Sequence, residues 1–143
     1  MPQNGFSVGR DISLDIIGPN GPLQLSLITD FSRRPVTTDQ KVKGLDGITR
    51  HVRFPDGWAG KLSIERQDST LDDYFAQLED NFYNGLSESP LTITETITEV
   101  SGAVSQYRYV GVLLTFEDAG DWKGDSTVKQ SVGFVAARRV KVS

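Results

Sequence analysis

The chain has no cysteine and only one histidine among its 143 residues. Disulfide bonds and thiolate chemistry are therefore excluded, and any metal site would have to rely on oxygen ligands. No apolar run approaches the length of about 20 residues that crosses a bilayer as a helix. The first residues also lack the basic and apolar regions of a signal peptide. We therefore expect no membrane partner.

Sequence motifs for catalysis are equally scarce. The single histidine, His51, alternates with polar residues in a charged segment, a pattern typical of a surface histidine. There is no phosphate-binding Gly-Lys-Ser/Thr motif and no serine in a nucleophile elbow. One loop is acidic, but the spacing of its residues does not match a calcium-binding loop: Glu117, Asp118, Asp121 and Asp125. We predict that the protein is not an enzyme and has no catalytic, cofactor-binding or metal-binding residue.

The charges are unevenly distributed along the chain. The net charge is −4, which argues against a dedicated DNA-binding surface. Residues 33–53 nonetheless contain six basic and two acidic residues, and residues 65–99 contain nine acidic residues and one basic residue. The two segments are either solvated surfaces of opposite sign or complementary patches that meet between copies of the protein.

The most regular pattern lies in residues 106–142. Apolar side chains occupy alternate positions in two runs, except for Gln130 and Arg138 in the second: Val110, Val112, Leu114 and Phe116, then Val128, Val132, Phe134, Ala136, Val140 and Val142. A period of two predicts extended strands with one apolar face. Residues 118–126 between them are rich in turn formers, so the stretch predicts a long antiparallel hairpin. Neither strand can bury its apolar face alone, so the rest of the chain should cover it.

Two further hairpins are predicted upstream. Residues 12–16 and 23–31 alternate in the same way around a turn-rich segment at 18–22. Residues 36–43 and 48–54 flank Asp46-Gly47, a strong turn signal. These last strands are charged and poor in apolar residues, so we expect an arm at about 36–54 that does not pack on the core. Residues 55–57 predict a turn before another amphipathic strand.

One helix is predicted, at about 70–84, where Leu71, Phe75, Leu78 and Phe82 form a single apolar stripe. Residues 91–100 predict a strand with threonine on one face. The expected fold is mainly β, a small antiparallel β-barrel or sandwich with one flanking α-helix and an extended β-hairpin arm. The length of 143 residues fits a single domain covering the whole chain, 1–143.

Three segments of the C-terminal hairpin resemble the tail tube proteins of contractile-tailed bacteriophages: residues 109–114, 120–126 and 131–139. The order of leading hairpin, charged arm, central helix and long closing strands is also similar. The resemblance implies a structural virion protein whose hexameric rings stack head to tail into a hollow inner tail tube that conducts the genome during ejection. It further implies location in the tail of the virion after synthesis in the host bacterial cytoplasm.

The implied partners are further copies of the chain, a tail sheath protein, and baseplate and tape-measure proteins. Double-stranded DNA would be passing cargo only. The tube proteins of type VI secretion and of baseplates share the implied fold, so those roles stay open. An alternative from another class is a monomeric β-barrel that binds a small ligand in its interior. A hydrolase has the least support.

Two sets of residues are expected to act in assembly. Basic side chains of the arm should contact the adjacent ring: Lys41, Lys43, Arg50 and Arg53. The lumen should be hydrophilic and net negative, because like charge keeps DNA from adhering. Candidate wall residues come from the threonine-rich strand: Thr92, Thr94, Thr96, Thr98, Glu95 and Glu99.

Overall fold

The computed structural model describes residues 4–5, 12–19, 21–23 and 27–142. Its elements are β1 (Ile12–Gly18), β2 (Gly21–Leu23), β3 (Leu27–Lys43), β4 (Thr49–Glu65), α1 (Thr70–Tyr83), β5 (Leu91–Thr98), β6 (Val104–Asp118), β7 (Lys129–Ala136) and β8 (Arg138–Lys141). Neighbouring strands follow the order β2-β1-β5-β6-β7-β4-β3, and β8 also pairs with β6. The sheet does not close on itself. The predicted fold class is therefore confirmed in its sandwich form.

Strand β6 is long enough to belong to two layers. Its first half pairs with β5 and β8, and its second half, from Leu113 onward, pairs with β7. Between the halves, Gly111 has a φ of +67°, a conformation that a side chain disfavours. Opposite this point Ala137 separates β7 from β8, and its N–H donates to the Val110 carbonyl. We call the first layer sheet I; its strand order is β2, β1, β5, the first half of β6, and β8. We call the second layer sheet II; its strand order is the second half of β6, β7, β4 and β3.

The two sheets enclose one apolar core. Tyr109 of sheet I lies at its centre, with ring centroids 6.4 Å from Phe31, 5.9 Å from Trp58 and 5.8 Å from Phe134. These three partners belong to β3, β4 and β7 of sheet II. Aromatic side chains thus fill the space between the sheets. The two sheets therefore pack face to face, as in a sandwich.

Helix α1 begins and ends within a residue of the predicted span. Leu71 is buried, and Phe75 stacks on Phe116 of sheet II with ring centroids 4.6 Å apart. Arg66 Nε donates to Asp72 Oδ2 at 2.9 Å and ties the first turn to the end of β4. Within the described part of the chain, no helix is long and apolar enough to cross a membrane.

Tyr74 of α1 gives the protein an expected alkaline transition. Burial raises the pKa of Tyr74 to about 12, and the Glu88 carboxylate raises it in the same direction. Because the unfolded value is about 10, the stability from the neutral phenol is fully present below pH about 10 and is lost as the pH rises through about 12. Urea titrations across this window should show the free energy of unfolding falling, and Tyr74→Phe should reduce the fall. Tyr83→Phe removes an exposed hydroxyl and should leave the transition in place; equal effects of both variants would contradict the assignment.

Two local predictions differ from the structure. Residues 12–16 lie in β1, which pairs with β2, but β2 ends at Leu23 and Phe31 lies in β3. Residues 24–26 of the predicted strand lie outside the described residues. The turn expected at 55–57 is not formed, because β4 runs through this segment with a shift of register against β3. A bulge accommodates the extra residue without changing the direction of the strand.

Candidate self-assembly surfaces

The arm is an extension of two core strands. Strands β3 and β4 each have 17 residues, whereas β7 covers β4 only from Trp58 to Glu65. The arm therefore continues beyond the sandwich as a two-stranded ribbon. At its tip the Gly47 N–H donates to the Gly44 carbonyl at 3.0 Å, and the Ile48 N–H donates to Asp46 Oδ1 at 3.0 Å. The Asp46-Gly47 turn is formed as the sequence predicts.

The arm has two chemically different faces. Residues directly opposed in an antiparallel pair share a face, and the register assigns a charged face with Asp39, Lys41, Lys43, Thr49, His51 and Arg53. The other face is partly apolar and contains Thr38, Gln40, Val42, Arg50, Val52 and Phe54. Val42, Val52 and Phe54 are exposed, as is Leu45 at the tip. Exposed contiguous apolar surface marks interaction sites. This face was not predicted from the sequence, although pairing the two strands about the Asp-Gly turn would have revealed it.

The four predicted contact residues are all exposed, but they differ in their partners. Arg50 lies 3.0 Å from Asp46, and Arg53 lies 3.1 Å from Asp39. The hydrogen bond from Arg50, followed by that from the Ile48 N–H, holds the pKa of Asp46 below its usual value. Among the described residues Lys41 and Lys43 have no ion-pair partner, so these two lysines are available to a second molecule.

The threonine-rich strand β5 lies inside sheet I, between β1 and β6. Among the predicted lumen residues Thr98 is exposed, Thr94 is buried and the others on the threonine face are half-buried. The predicted lumen role of Glu95 must be corrected, because its side chain is completely buried in the core of the protomer and cannot line a lumen. Alternation assigned the faces of β5 correctly but could not show what covers each face.

Glu95 is held in the core by a residue from the root of the arm. Arg33 Nε lies 3.0 Å from Glu95 Oε2, but no well-aligned hydrogen bond reaches this oxygen from the described residues. The attraction is therefore mainly Coulombic. The Tyr109 hydroxyl donates to Glu95 Oε1 at 3.3 Å, and burial, reinforced by the Glu95 charge, raises the pKa of Tyr109. The phenol thus stays protonated as a donor.

Gly60 allows the backbone of β3 and the Phe134 ring to approach β4 closely opposite Arg33. It lies opposite Arg33 in β4, and a Cβ there would clash with the Ser32 carbonyl oxygen and lie 2.8 Å from the Phe134 ring. A residue with a side chain at position 60 would displace these groups. The ion pair therefore links sheet II to sheet I at the point where the arm leaves the core.

A loop at the other end of β4 presents an exposed tryptophan. The Arg66 guanidinium, one residue beyond β4, lies 5.5 Å from the centroid of the Trp122 ring, and Trp122 is 79% exposed. Gln130 Nε2 fixes the root of the loop by donating to the Ala119 carbonyl at 3.2 Å and to Asp72 at 2.9 Å. From the sequence we expected a turn-rich connection here and assigned no contact role to Trp122. A tryptophan among turn formers was the available signal.

No protein-family model matches the chain, and no curated protein matches it in sequence. Solved structures do match its fold. A chain of the anti-feeding prophage baseplate superposes with a TM-score of 0.64 at 11% identity, over 99% of this chain and 98% of that chain. A chain of the sheath–tube complex of PVC, an extracellular contractile injection system, gives 0.59 at 11% identity, over 91% and 88%.

The SPP1 tail tube gives a TM-score of 0.56 at 10% identity, over 94% of this chain and 78% of that chain. The protein has the fold of these tail tube and baseplate chains. The three alignments cover between 91% and 99% of this chain, and the shared fold agrees with the resemblance drawn from the sequence.

Proposed function

We propose that this protein is a structural subunit of a tail-like tube. Hexameric rings stack head to tail around a hollow lumen, which conducts the genome during ejection. The shared fold supports a tube-like structural role. The ring itself is supported by the edges of sheet II.

Sheet II ends in two strands with unpaired outer edges. In the described part of the chain β3 pairs only with β4, and β6 from Leu113 to Asp118 pairs only with β7. Free edges expose backbone groups that pair with another strand. The outer strands of sheet I are much shorter, with three residues in β2 and four in β8. Pairing the β3 edge of one copy with the β6 edge of the next is a heterologous contact that can close into a ring.

Ring closure through sheet II gives a new assignment for the lumen. In a ring of subunits, the sheet nearer the axis has the smaller circumference to span. Sheet II is the sheet in which neighbouring subunits pair edge to edge without a gap, so we place it nearer the axis, with its outer face toward the lumen. Its charged residues are nearly balanced in sign, with three basic and four acidic side chains: Arg34, Lys61, Lys129, Asp30, Glu65, Glu117 and Asp118. Such a wall is hydrophilic but close to neutral. The threonine face of β5, with Thr92, Thr94, Thr96, Thr98 and Glu99, is the competing wall.

The arm supplies the contact between rings in this proposal, through Lys41, Lys43 and its apolar face. The further partners are a tail sheath protein, baseplate and tape-measure proteins, and passing double-stranded DNA. The protein is made in the host bacterial cytoplasm, belongs to the tail of the virion and catalyses no reaction. A baseplate or type VI secretion tube subunit is the second candidate, because a baseplate chain superposes on almost all of this chain.

Negative-stain microscopy and light scattering of the purified protein test the assembly. We expect six-fold rings and stacked tubes, whereas a baseplate subunit should give rings without long tubes. A stable monomer at high concentration would contradict the proposal. A small-ligand protein would instead use the groove of about 330 Å³ between α1 and the β1–β2 turn, and a monomer that binds a ligand there would establish that alternative.

A further inference from the structure

The two ends of β4 carry two of the most exposed apolar side chains in the described part of the chain. Leu45, at the arm tip, is fully exposed, and Trp122, beside Arg66, is 79% exposed. Strand β4 has 17 residues, so these ends lie about 50 Å apart along the strand at about 3.3 Å per residue. One copy therefore cannot bring its own arm tip to its own Trp122.

The same two ends also differ in charge. Residues 36–54 of the arm have four basic and two acidic residues, a net charge of +2. The opposite loop, residues 117–126, has four acidic residues and one basic residue, a net charge of −3. Opposite charge across a contact favours encounter in one orientation and disfavours the reverse. A basic end and an acidic end on one strand thus suit head-to-tail contact.

We propose that the loop around Trp122 is the receptor for the arm tip of a second copy of this chain. Leu45 and Ile48 pack on the Trp122 ring, and Lys43 faces the acidic side chains of Asp121 and Asp125. This inference rests on the proposed function, because a contact between opposite ends of successive copies extends as a stack. The acidic partner of the arm is then this loop, and not the broad acidic segment 65–99 considered from the sequence.

The loop has the features of a binding anchor. Its root is fixed by Gln130, so little ordering is needed when a partner docks. Tryptophan is also enriched among the residues that dominate binding energy at interfaces. The rival surface is the exposed apolar end of α1, with Phe82, Tyr83 and Leu86. Phe82 lies about 18 Å along the helix from its first residue, so this surface is not at the end of β4.

Cross-linking distinguishes the two surfaces, because the native chain has no cysteine. Thr49→Cys, beside the arm tip but outside the proposed contact, is combined with Lys123→Cys in one variant and with Ser87→Cys in a control variant that reports on the rival surface. All three positions are exposed, so folding should be unaffected. A short bismaleimide is added to assembled tubes, which are first verified by microscopy, and to dilute protomers.

We expect a ladder of covalent oligomers from the Thr49/Lys123 tubes, and none from the control tubes or from dilute protomers. Tubes that cross-link only through Ser87, or through neither pair, would overturn the receptor assignment while leaving the proposed function intact. Absence of rings and tubes in the unmodified protein would overturn both. As a second measurement, Trp122→Ala should keep rings but raise the critical concentration for stacking about tenfold or more; unchanged stacking would likewise overturn the assignment.

Discussion

Reversing Lys41, Lys43, Arg50 and Arg53 to glutamate is expected to stop tube elongation and leave the protomer folded. All four side chains are exposed on the arm, away from the core, so far-UV circular dichroism should be unchanged. At the proposed ring contact, acidic side chains would then face an acidic loop. Even at about 0.5–1 kcal/mol for each exposed pair, loss of several pairs raises the critical concentration for stacking at least about tenfold.

A smaller variant isolates the contact between rings. Arg50 and Arg53 pair with acidic residues within the arm, so reversing them also introduces repulsion inside the protomer. Lys41→Glu with Lys43→Glu avoids this problem. Arg108→Glu with Lys141→Glu, both exposed on sheet I, is the control with the same change in net charge.

The lysine variant should fail to elongate at low salt, where screening is weak, while the control elongates. Normal elongation of the lysine variant under these conditions would show that the arm is not the stacking element. The uneven charge along the chain would then be only a solvated surface.

Local periodicity was enough to predict much of the fold. The period of two in apolar residues predicted strands β1, β5, β6 and β7, and the apolar stripe with a period of 3.6 residues predicted helix α1. The Asp46-Gly47 pair predicted the turn at the tip of the arm. Each of these signals acts between near neighbours in the chain. The path of β6 through both sheets depends instead on Gly111 meeting Ala137, a contact between distant residues. No local pattern marks such a pairing.

The candidate site was harder to predict for the same reason. The alternation of β5 placed Glu95 on the face that carries Leu91 and Ile93, which is the core face. We nevertheless expected it in a lumen, because a negative wall keeps DNA from adhering. Its partner Arg33 lies on β3, and only the fold shows that the two strands face each other. Trp122 and the apolar face of the arm did have signals in the sequence, but only the structure shows that these side chains are exposed.

The largest effect on stability is expected at the Arg33–Glu95 pair. Arg33→Met leaves the completely buried Glu95 carboxylate without its cation. Breaking a fully buried pair costs about 3–5 kcal/mol, and because the Arg33 side chain is 33% exposed we expect the lower end of that range. Arg33→Met combined with Glu95→Leu removes both charges and should recover most of this loss, because the desolvation cost disappears together with the attraction. Urea denaturation of the native protein, the two single variants and the double variant completes a double-mutant cycle, which gives the coupling energy between Arg33 and Glu95.

Arg53→Met is the matched control, since Arg53 forms a similar ion pair with Asp39 on the surface of the arm. Exposure lets water screen that pair, so its loss should cost less than about 1 kcal/mol. An Arg33→Met variant no less stable than Arg53→Met would show that the pair does not hold the sheets together. If the coupling is as large as expected, the ion pair fixes the root of the arm against sheet I, and rings of the double variant should then stack less efficiently although their protomers are stable.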